Sequence, residues 1–111
     1  MMFNESKLLE HFESDKEMIF ELTNTLDETY PVVLESLKSG IEQKKYTEVE
    51  LHAHTLKGML LNFFCEDLSD MALRLENQGR EKETLDGALE LYDNLEKSIP
   101  ELVKELRGYC D

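Results

Sequence analysis

Three residues in the middle of the chain, His54, Lys57 and Gly58, have the types and spacing that phosphoryl chemistry needs. Neutral imidazole is a good nucleophile near pH 7, because its ordinary pKa is about 6.5. It can attack phosphorus and hold the group as a phosphoramidate, which is covalent catalysis. Such a transfer needs positive charge near the equatorial phosphoryl oxygens. Lys57 lies three residues on, so on a helix its ammonium can reach a phosphoryl group on His54. Gly58 lies four residues on, directly alongside, where a larger side chain would crowd the imidazole or an incoming partner. Glycine inside a helix costs about 1 kcal/mol against alanine, so its presence asks for a reason of this kind.

A helix must hold these residues, and the pattern around them provides one. Val49, Ala53, Leu56, Leu60 and Phe63/Phe64 cluster within roughly 60° of one direction, the inner face. His54, Lys57 and Leu61 fall roughly 80–140° from it, and Gly58 and Leu51 lie further round, roughly opposite the core. Leu51 and Leu61 are therefore apolar side chains on the outward half, which reads as a docking surface unless neighbouring helices cover them. Thr47-Glu48-Val49-Glu50 reads as a capping box that opens this helix.

The rest of the chain has the same helical period. A short leading helix is expected from about Glu5 to Phe12. Ser14-Asp15-Lys16-Glu17 reads as a capping box for a long helix carrying Ile19, Leu22, Leu26, Val33, Leu37 and Ile41. The stripe continues in phase past Pro31, so one kinked helix is expected to about Lys38, ended near Gly40. Another helix is expected from about Asp67, with Leu68, Met71/Ala72 and Leu75 inside and Gly79 as its C-terminal cap. Thr84 can cap a last one, running from Leu85 to Leu106 across Pro100. No segment shows strand alternation. The expected fold is all-α: a single domain over residues 1–111, an antiparallel up-down-up-down four-helix bundle with a short N-terminal leading helix.

Composition narrows the function classes. A formal net charge of -13 makes nucleic acid and anionic membranes poor partners. No apolar run approaches transmembrane length, and the N-terminus lacks signal-peptide regions, so a cytoplasmic protein is expected. Cys65 and Cys110 lack metal-type spacing and are expected to be free thiols. His52-x-His54 is no zinc pair, because helical residues two apart point about 200° apart. His52 reads as structural, His11 as a surface residue, and the methionines as packing.

His54-Thr55-Leu56-Lys57-Gly58, preceded by Ala53 and followed by Asn62, resembles the signature of histidine-containing phosphotransfer (HPt) domains. The likeness extends to Leu75-Glu76, to Gly79-Arg80 and loosely to the four-helix pattern. It implies that His54 accepts a phosphoryl group from a receiver-domain aspartate and passes it to another receiver. By the same resemblance Lys57 would steady the phosphoryl oxygens, Gly58 would leave space, and Glu76 and Arg80 would lie close to the histidine. Arg80 could instead merely favour the helix dipole. Met59 and Leu60 stand where the family usually has small residues, and Phe64 stands where a glycine is usual.

The partners so implied are response-regulator receiver domains, met either as a freestanding monomer or within a hybrid histidine kinase. No cofactor is expected on this chain; Mg2+ would belong to the receiver, since no carboxylate cage surrounds His54. No autokinase activity is expected, because there is no nucleotide motif. Two other classes compete: an adaptor that binds receivers without phosphotransfer, and a structural module that oligomerises through its apolar stripes.

Overall fold

The structure, a computed structural model, describes all 111 residues. It contains five helices and no strand: α1 (Glu5–His11), α2 (Lys16–Glu42), α3 (Tyr46–Leu61), α4 (Glu66–Glu81) and α5 (Ala88–Cys110). α2 packs on α3, α3 on α4, α4 on α5, and α5 back on α2. That closes a ring of four helices, and α1 is the expected leading helix. The apolar residues at three- and four-residue spacing meet in one core. Leu8, Ile19, Leu37, Leu56, Leu60, Leu75, Leu95, Ile99, Leu102 and Leu106 are fully buried, so every helix contributes.

The helices differ in length, and that shapes the molecule. At about 1.5 Å per residue, the 27 residues of α2 measure about 40 Å, close to the 43 Å long axis. α3 and α4 have 16 residues each, so α2 and α5 overhang the turn between them. α2 and α5 stay helical through Pro31 and Pro100. The N-terminal segment fills the overhang. Phe3 and Leu8 are buried there, and Phe3 meets Tyr109 edge-on with ring centroids 5.3 Å apart. The Asn4 amide donates to the Phe64 carbonyl at 2.9 Å, and the Met2 amide to Glu105 Oε1 at 2.7 Å.

Helix ends depart from the sequence expectations. α2 starts on Asp15, whose carboxylate accepts from the Met18 amide at 3.1 Å; Ser14 instead takes a left-handed φ of 63°. α3 begins at Tyr46 with no side-chain cap, so Thr47 lies inside it. α5 begins at Ala88 after Gly87, and Thr84 caps a turn by accepting from the Asp86 amide. Gly40 and Gly79, expected as caps, lie inside α2 and α4. The terminators are lysines in left-handed conformation: Lys44 (φ 55°) and Lys82 (φ 56°). The amide of Lys45 then reaches back to the Gly40 carbonyl at 2.9 Å, closing the end of α2.

Phe64, at φ 55°, makes the same left-handed turn after α3. Its conformation is one that favours glycine. Its ring packs edge-on to His11 at 5.5 Å, and its carbonyl takes the Asn4 amide, so the N-terminal segment offsets the cost.

Gly79 serves packing. A Cβ there would overlap the Glu50 amide nitrogen and lie 2.7 Å from the Tyr46 carbonyl oxygen and 2.8 Å from Glu50 Cα. The missing side chain lets α4 approach the first turns of α3 backbone to backbone. Gly79→Ala is therefore expected to lower stability by about 2–3 kcal/mol, as overpacking does. Lys44→Gly, at an exposed left-handed turn, should raise it by about 1 kcal/mol. Urea unfolding of both variants checks this; a neutral Gly79→Ala would contradict the close approach.

Candidate functional site

The α3–α4 seam that Gly79 closes brings His54, Lys57, Glu76 and Arg80 together. Only three polar residues in the chain are buried: Thr23, Ser69 and Glu76. The two hydroxyls satisfy themselves on carbonyls four residues back, at 2.8 Å each. Glu76 is the one buried charge, and glutamate is almost never buried unless paired. Three groups meet its carboxylate. Lys57 Nζ lies 2.6 Å from Oε1. Arg80 Nη2 lies 2.8 Å and His54 Nδ1 lies 3.1 Å from Oε2.

Burial and pairing oppose each other at Glu76, and the pairing prevails. Burial pushes the carboxyl up, but the hydrogen bonds and charges of Lys57 and His54 hold it below the ordinary carboxylate range. An ionised carboxylate can only accept. The geometry therefore selects the His54 tautomer with hydrogen on Nδ1, which leaves the lone pair on Nε2. The His54 side chain is 65% exposed, so the ring is anchored at one nitrogen and open to solvent elsewhere.

Lys57 occupies a different place from the one its spacing suggested. Its side chain is only 22% exposed, and its ammonium engages Glu76 rather than pointing past His54. Gly58 is exposed, and a Cβ there would meet nothing within 4 Å. No packing inside the chain requires that glycine, so its effect is to keep the surface beside His54 bare. Leu51 and Leu61 are 55% and 52% exposed on the same helix, so neighbouring helices do not cover them. His52 is half-buried and pairs with Glu48 at 3.0 Å, a structural place. Cys65 and Cys110 are free, and burial pushes the Cys65 thiol up to about 11, as fits packing rather than reactivity.

Glu50 is the member of the site that the sequence reading missed. Its Oε2 lies 3.1 Å from Arg80 Nε, so Arg80 bridges Glu50 on α3 and Glu76 on α4. The available signal was its position four residues before His54, on the same side of the helix.

The Hpt domain matches residues 17–108 of the 111, and the chain belongs to that family. Hpt domains serve histidine phosphotransfer in two-component signalling and interact with receiver domains. Comparison with curated proteins and with solved structures gives no significant match. The match begins inside the first turn of α2, so α1 and the segment before it lie outside it. No helix is long and apolar enough to cross a membrane.

Because the folded-state pKa of Glu76 is depressed, its contribution is complete above the unfolded value and is lost as pH falls through the folded one. Glu76→Ala is expected to cost about 1–3 kcal/mol at pH 7, the size of its lost hydrogen bonds. The gap to wild type should narrow below about pH 4. Denaturant unfolding between pH 3 and 7 measures this; a gap independent of pH would show that Glu76 contributes by packing alone.

Proposed function

We propose that this chain is a phosphorelay intermediate. His54 accepts a phosphoryl group from the aspartyl phosphate of one receiver domain and passes it to the aspartate of another. The observation that carries this reading is the half-committed imidazole: Nδ1 held at 3.1 Å by a buried carboxylate, the ring otherwise in solvent.

In the first transfer the Nε2 lone pair attacks phosphorus. The N–P bond forms as the P–O bond to the receiver's aspartyl oxygen breaks, and that oxygen leaves as a carboxylate. The ring gains positive character, which the ionised Glu76 stabilises while its oxygen holds the Nδ1 proton. The second transfer is the reverse, onto a different aspartate. Lys57 and Arg80 rest on Glu76 and are the cations that turn to the phosphoryl oxygens as negative charge arrives there. Mg2+ belongs to the receiver in this reading, because the carboxylates of Glu76 and Glu50 are already tied to cations here. Leu51 and Leu61 flank His54 as the apolar part of the docking face, and Gly58 gives the receiver's acidic pocket access to the ring.

Incubation with phosphorylated receiver domains tests this. An acid-labile phosphate is expected on wild type and on His52→Gln, and none on His54→Gln, which should keep its helicity. Label on His54→Gln would overturn the assignment, and receiver binding without label on wild type would favour an adaptor. Gly58 separates fold from access. Gly58→Ala should gain about 1 kcal/mol of stability, whereas Gly58→Gln should fold and transfer at least about tenfold more slowly. Wild-type transfer rates in Gly58→Gln would contradict the access role.

A further inference from the structure

Glu50 has no part in the transfer just described, yet it holds one of the cations that does. It lies one turn before His54, with a side chain 34% exposed, and takes Arg80 Nε at 3.1 Å. Nη2 of the same guanidinium reaches Glu76 Oε2 at 2.8 Å. Nε and its neighbouring Nη form the edge with which arginine grips one carboxylate through two parallel bonds. In this chain that edge is split between two carboxylates on two helices. The oxygen at issue, Glu76 Oε2, is also the acceptor for His54 Nδ1 at 3.1 Å.

We propose that Glu50 is a positioning residue: by holding Nε of Arg80 it keeps the guanidinium to a single bond on Glu76 and so leaves Oε2 aimed at His54 Nδ1. Arg80 is four residues from Glu76 on α4, with a side chain 57% exposed, so apart from its bond to Glu76 only Glu50 and a long 3.5 Å contact to Asn77 Oδ1 restrain the guanidinium. Without Glu50 the fork closes on Glu76 and competes with His54. The imidazole then shifts toward the tautomer with hydrogen on Nε2, which has no lone pair where the attack must occur. The proposal rests on His54 being the phosphoryl acceptor, and its consequence for the ring can be read without any transfer.

The test uses the full chain labelled with 15N, whose ring nitrogen shifts report the His54 tautomer, together with initial rates of transfer from a phosphorylated receiver. Wild type should carry hydrogen on Nδ1. Glu50→Ala should move His54 toward Nε2–H and slow transfer roughly fivefold, as one lost hydrogen bond would. Glu50→Gln, whose amide oxygen still accepts from Nε, should keep the wild-type tautomer. In Glu50→Ala/Arg80→Ala the competing guanidinium is gone, so the Nδ1–H tautomer should return. A general loss of structure would not be repaired by a second truncation. A wild-type tautomer in Glu50→Ala, or a double variant as shifted as the single one, would overturn the proposal. Failure of wild type to take label would instead overturn the phosphorelay reading and leave the tautomer result standing.

Discussion

A buried carboxylate must be given cations, and at Glu76 that requirement organises the site. The side chain sits in the α3–α4 seam, out of water. Leaving it unpaired would cost more than the domain could spare. Lys57 and His54 therefore turn inward from α3 and Arg80 from α4 itself. The seam is narrow enough for these contacts because Gly79 removes a side chain where the two backbones meet. One glycine thus sets a helix separation, the separation lets Lys57 and His54 reach Glu76 across the seam, and the His54 contact sets which nitrogen of the ring is left for chemistry.

The two sides of α3 divide the work. Toward α4 lies the charged network, built around the buried Glu76. Away from it lies a surface without charge or bulk at Gly58, flanked by exposed Leu51 and Leu61. A partner that must bring an acidic, metal-holding pocket to the imidazole gains from this split. In the proposed relay the apolar flanks provide contact area, and Lys57 and Arg80 rest on Glu76 until phosphoryl charge arrives. Lys57 illustrates the arrangement. Its spacing suggested an ammonium waiting for phosphate, whereas its resting partner is Glu76.

Much of the bundle was legible because periodicity is a property of the sequence itself. The stripes through Ile19–Ile41, Val49–Phe63, Leu68–Leu75 and Leu95–Leu106 meet in the core as expected, and both prolines are passed without a break. The helix ends were not legible, for a physical reason. Turns normally marked by glycine are made here by Ser14, Lys44, Phe64 and Lys82, all at positive φ. The glycines that looked like terminators, Gly40 and Gly79, are where helices touch. His54, Lys57 and Gly58 could be read from spacing on one helix. Glu76 and Arg80 were reached only through the family resemblance, because nothing local links α3 to α4. Glu50 stayed hidden because its role depends on Arg80, 30 residues away.

The measurement that tests the central claim most directly is the ring position of the phosphoryl group in the phosphorylated chain, read by 31P–15N correlation. With Nδ1 committed to Glu76, the expected product is a single phosphohistidine, at His54, bonded through Nε2. A phosphoryl group on Nδ1 of His54, or on any other residue, would contradict the role assigned to the buried carboxylate.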